Sequence, residues 1–100
     1  MQKLNKNIDF NNVLFDCIDK FNKTLTLNKK IKKNNNQILL GKKTKLDSLE
    51  IVTFFTLIED EFNKKYNIRV NILEIYFSEK NQNKLKNIEN LMKSIKKIHE

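Results

Sequence analysis

The chain has no proline, no tryptophan, one glycine, one cysteine and one histidine in 100 residues. Each scarcity excludes something. Folds built from short strands need many tight turns, and tight turns draw on glycine and proline for their backbone angles. With Gly41 the sole glycine, helices are expected instead. A lone cysteine, Cys17, leaves no intrachain disulfide. A lone histidine, His99, with no second cysteine, leaves no zinc cluster. There is no glycine-rich loop to cradle a phosphate. No apolar run approaches the roughly 20 residues of a membrane span. The first stretch, MQKLNKNIDFNN, lacks the apolar centre of a secretory signal. The expectation is a soluble, cytoplasmic, single-domain protein.

What is present is mostly charge and asparagine. Lys plus Arg number 20 against 12 Asp plus Glu, a net charge of +8, with 39% hydrophobic residues, enough for a small core. Lys, Asn and Ile make up nearly half the chain, a pattern expected of an AT-rich coding sequence. One window departs from it. From Leu46 to Phe62 there are five acids (Asp47, Glu50, Glu59, Asp60, Glu61) and no Lys or Arg, so the window carries −5 and the rest +13. The window reads as an acidic docking surface on a basic background, with a buried helix whose few exposed sites happen to be acidic as the alternative.

Apolar periodicity places the elements. Phe10, Val13, Leu14, Cys17, Ile18, Phe21 and Leu25 follow helical spacing, predicting a first helix at about 9–24 with Asp9 as N-cap and Cys17 as a small core residue. From Thr26 to Lys45 the periodicity fails. This is read as a long surface loop, pinned to the core by Ile38, Leu39 and Leu40 and turned at Gly41. A second helix follows at about 47–66. Asp47 or Ser48 is its cap, Glu50 suits its positive end, and Asn67 ends it. Leu49, Val52, Phe55, Ile58 and Phe62 form one stripe, widened by Ile51, Phe54 and Leu57, so this helix should be central. Ile68, Val70 and Ile72 alternate, and Ile68 to Phe77 is read as an extended segment with buried anchors. A short helical turn is expected after it. Ile88, Leu91, Met92, Ile95 and Ile98 define a last helix at about 87–98, capped by Asn87. The fold class is all-α, a small antiparallel bundle.

Taken alone, an Asp-Ser pair before an apolar run is an ordinary helix cap. Its surroundings say more. The segment LDSLEIVTFFTLIEDEF resembles the second-helix region of the acyl carrier protein family, in which the serine of an Asp-Ser-Leu motif opens helix two and an acidic segment closes it. The similarity extends over Ile38 to Ile98: a buried segment and turn before LDSL, an extended apolar linker after helix two, and a short last helix. It implies a four-helix bundle of the standalone carrier type, with three longer helices and a short third helix around 78–86.

The resemblance also implies a function. A phosphopantetheinyl transferase would move 4′-phosphopantetheine from coenzyme A onto Ser48, and the arm's thiol would carry acyl groups as thioesters in fatty-acid, lipid or specialised biosynthesis. Aminoacyl, D-alanyl and peptidyl carriers share the motif. By the same resemblance Asp47 helps the transferase engage, Leu49 is an exposed apolar contact, and Glu50, Glu59 and Asp60 are recognition acids for partner enzymes with basic patches. The protein would be a monomeric carrier, not a catalyst, with no bound metal and no nucleic-acid partner. Lys45 stands where many carriers have glycine, and Thr53 and Thr56 stand where many have an acid and a larger apolar residue. A different class of function, a small basic nucleic-acid-binding module using NKKIKKNNN and KSIKKIHE, lacks interleaved aromatics and has a single arginine, Arg69.

Overall fold

The computed structural model describes residues 8–99. Met1 to Asn7, on which the reading of the N-terminus rests, and the side chains of Glu79, Ile98 and His99 lie outside the described set. Among the described residues there are four α-helices: α1 (Phe10–Asn22), α2 (Ser48–Tyr66), α3 (Ile72–Phe77) and α4 (Ile88–His99). Two 3₁₀ segments, Leu27–Lys29 and Glu79–Leu85, lie between them. There is no strand among these residues, only one isolated antiparallel bridge between Ile38 and Asn87.

Local chemistry sets the helix ends. The Asp9 carboxylate accepts from the Asn12 N–H at 3.0 Å, satisfying one of the donors that a helix start leaves free. Asn87 does the same for α4, its Oδ1 accepting from Asn90 N–H at 2.8 Å. Asn67 closes α2 in the left-handed region, with φ 55° and ψ 36°; among non-glycine residues asparagine tolerates that conformation best.

The core is aromatic on one side of α2. Phe21 of α1 stacks on Phe54 with ring centroids 4.9 Å apart, Phe10 meets Phe62 at 5.7 Å, and Tyr76 of α3 sets its edge against Phe55 at 5.7 Å. Cys17 is fully buried within the α1 stripe. The stripe of α2 is rotated from the one expected. Ile51, Phe54, Phe55, Ile58 and Phe62 are buried, whereas Leu49 is 75% exposed and Val52 only half-buried.

The long loop is held at both ends. Asn22 grips Ile31 with its side-chain amide, donating to the Ile31 carbonyl at 2.8 Å and accepting from its N–H at 2.9 Å. Leu39, fully buried, donates its N–H to Lys86 O at 2.8 Å, and Ile88 donates to Gln37 O at 3.0 Å. The loop therefore clips onto the entry of α4 (backbone groups of an irregular segment must find partners somewhere).

One segment differs from the sequence expectation. Only residues 68–71 are non-helical; Ile72–Phe77, expected to be extended, is α3, and the region expected to hold the short third helix is instead 3₁₀. The alternation of Ile68, Val70 and Ile72 arises because Val70 and Ile72 are both core anchors while the chain turns between them.

Candidate functional site

The candidate site is the start of α2. Asp47 lies in extended backbone, φ −88° and ψ 175°, and its Oδ1 accepts from Glu50 N–H at 2.8 Å. Glu50 reaches back, its Oε1 accepting from Asp47 N–H at 2.9 Å. This is a reciprocal capping box with aspartate in the cap position. Leu46 before it and Ile51 within the helix are both buried, at the positions of a hydrophobic staple. The chain's entry into α2 is thus fixed on both sides.

Because Asp47 is the cap, Ser48 is not. Ser48 is the first residue of the helix proper, exposed, and its hydroxyl has no role in the cap. Its N–H and that of Leu49 belong to the first turn, which offers them no intrahelical acceptor. A negative group attached at this hydroxyl would meet free donors and the positive end of a 19-residue helix. Leu49, beside it, is one of three large apolar residues standing in solvent among the described residues, with Leu27 at 83% and Phe77 at 67% exposed.

The five acids of the window are brought into separate structural tasks rather than one surface. Asp47 caps α2 and Glu50 completes the box while pairing with Lys29 at 3.2 Å. Glu59 accepts from Leu73 N–H at 2.9 Å, holding the first turn of α3 against α2. Asp60 pairs with Lys64 one turn on, at 3.0 Å. Glu61 is buried at 6% exposure and pairs with Lys20 at 2.7 Å. A lysine at position 59 or 61 would meet an N–H donor or another ammonium, which is a physical reason for acids there independent of docking. Glu59→Ala is expected to cost about 1 kcal/mol, the value of a lost cap. It should also raise amide exchange in 72–77 selectively. Uniform exchange across the chain would show that Glu59 does not hold α3.

Cys17 offers no chemistry. Burial, reinforced by the nearby Glu61 carboxylate, pushes its thiol up to about 12, and only a thiolate is a competent nucleophile. The linkage has a testable sign. The folded chain keeps a proton that the unfolded chain gives up near about pH 8.5, so stability is complete below that pH and falls as pH rises toward 12. Lys20, whose ammonium is favoured by its hydrogen bond to Glu61, shifts in the same sense. The unfolding free energy from urea titrations should fall above about pH 9 by at most about 1.4 kcal/mol per pH unit for the thiol. Cys17→Ala should flatten that part of the slope; parallel profiles would remove the thiol as its source.

Among the described residues no group of His, Cys, Asp and Glu side chains could hold a metal ion, and no helix is long and apolar enough to cross a membrane. Sequence reading missed Lys20 and Lys29 as partners of the α2 acids and Leu27 as an exposed apolar residue; their long separations from α2 leave no local signal. Comparison with family models, with curated proteins and with solved structures finds no match.

Proposed function

We propose that the protein is a carrier of the acyl carrier type, a four-helix bundle modified on Ser48 with 4′-phosphopantetheine. The observation that carries this reading is the division of labour at the start of α2: Asp47 takes the cap and leaves the Ser48 hydroxyl exposed and uncommitted. In the modification, Ser48 Oγ attacks the phosphorus of coenzyme A that bears the pantetheine. A P–O bond of the diphosphate breaks, the adenosine bisphosphate leaves, and the serine proton passes to a base of the transferase. The arm then supplies a thiol for thioester chemistry.

The chain's own residues fit that group. First-turn N–H groups and the positive end of α2 would hold the new phosphodiester anion. Asp47, exposed and one residue away, is placed to help the transferase engage, and Leu49 presents an apolar contact next to the attachment point. The cargo is an acyl group, or an aminoacyl, D-alanyl or peptidyl group, delivered between cytoplasmic enzymes. The test is intact-mass measurement after incubation with coenzyme A and broad-specificity phosphopantetheinyl transferases. A gain of one pantetheinyl arm, absent from Ser48→Ala, is the expected result. No gain with any of several transferases overturns the reading.

A further inference from the structure

The acid-only window implies a basic partner face, yet four of the window's acids are wholly or partly neutralised by caps and ion pairs inside the molecule. Apart from Asp47 itself, the charge left unpaired near Ser48 has the opposite sign. A groove of about 190 Å³ runs beside the entry to α2, lined by Asn28, Lys29 and Lys30 on one side and Lys43, Thr44 and Lys45 on the other. The 3₁₀ turn that carries Leu27 thus faces the segment leading into Asp47 and Ser48, and the Lys29–Glu50 pair ties the two together at 3.2 Å. Lys30, Lys43 and Lys45 are exposed and form no ion pair with any described residue. From Lys20 to Leu46 the sequence has nine lysines and no acid. Leu27, 83% exposed, stands on the turn that leads into one wall of the groove, and Leu49, 75% exposed, stands in the first turn of α2, which the other wall leads into.

Exposed apolar side chains beside unpaired charges are the anatomy of a protein interface, where apolar contact supplies affinity and charge supplies steering and choice of partner. We infer that this corner docks a protein face that is acidic at its rim and apolar at its centre. Nucleic acid fits less well, since no aromatic stacking surface lines the groove and no arginine is present here to read bases. The inference rests on the carrier reading only for the purpose of docking, delivery of Ser48 to an enzyme; the surface itself is tested without any modification.

The full chain is titrated with a fluorescent acidic helical peptide carrying a leucine stripe on a glutamate background. A lysine-rich counterpart, a short DNA duplex and phosphatidylglycerol vesicles are run beside it at about 150 mM salt. The acidic peptide should bind best and shift the amides of Leu27, Lys43, Lys45 and Leu49. Lys30→Gln/Lys43→Gln/Lys45→Gln should weaken it about tenfold or more, and so should added salt. Leu27→Ser/Leu49→Ser, both at exposed positions, should weaken it several-fold with no change in unfolding midpoint. Tighter binding of DNA or vesicles than of the peptide overturns the inference, as does no peptide binding at all, or binding indifferent to the leucines. The two readings fail separately. A chain that takes the arm on Ser48 but ignores the peptide loses only the docking surface; one that binds the peptide but never takes the arm loses only the carrier role.

Discussion

Ser48→Ala should lose the pantetheinyl mass gain entirely and keep its thermal midpoint, while Asp47→Ala should lose stability first. The two residues are neighbours, so the contrast is informative. Asp47 satisfies the Glu50 N–H at 2.8 Å and is itself held by the Glu50 carboxylate at 2.9 Å. Removing such a cap costs about 1 kcal/mol, or roughly 4–8 °C in a domain of this size. Ser48 is exposed and outside the cap, and alanine is a strong helix former, so its replacement should change stability by no more than about 0.5 kcal/mol. Asp47→Asn separates the acid's two tasks further. Its side-chain oxygen can still accept from Glu50 N–H, so most of the cap survives. Its lost charge should slow modification by about tenfold if the carboxylate engages the transferase electrostatically. Calorimetry and intact mass on the same three variants decide the matter. If Ser48→Ala melts as early as Asp47→Ala, the serine is a cap and its hydroxyl is not free for attachment. If Asp47→Asn is modified at the full rate, Asp47 is structural only.

How much of this was legible in the residues follows from how local each cause is. The caps at Asp9, Asp47 and Asn87 act over three residues, and the sequence displays them openly. The helical stripes of α1 and α4 repeat often enough to be read. In α2 the apolar arc is so wide that its buried face could not be chosen: a stripe through Leu49 and Val52 fits the period as well as the true one through Ile51 and Phe54. Likeness to a family, rather than periodicity, put Leu49 in solvent, where it stands. The six residues of α3 are too few for a helical period to emerge, and the helix start is held by Glu59 from another element, fourteen residues away. The charge of the α2 window was plain, but its meaning was not. Lys20 and Glu61 are separated by 41 residues and Lys29 and Glu50 by 21, and only the folded chain reveals that those acids are spent on pairing.

Phe54→Ala should be the most damaging single core substitution among the aromatic contacts, lowering stability by about 3–5 kcal/mol. The reason is position as much as size. Phe54 has no exposed surface, stacks on Phe21 at 4.9 Å and lies 6.0 Å from Phe55, so it joins α1 to α2 while bordering the ring that receives Tyr76 of α3. Its loss leaves a void bounded by rigid rings and helix backbone that cannot close without moving α1. A domain of this size has only about 5–15 kcal/mol in total, so about a fifth or more of its stability would go. Urea unfolding measures the loss directly. The same variant also tests whether Ser48 needs the fold around it. The capping box is built from residues 47–50 alone, but the staple residue Ile51 belongs to the core that Phe54 organises. Modification of Phe54→Ala should therefore track the folded fraction as urea is raised, failing at a lower urea concentration than in the wild type. Modification that persists in the unfolded variant would mean that the transferase reads the peptide segment LDSL and not the helix start. A cost below about 1 kcal/mol would mean that α1 is not seated on α2 through this ring.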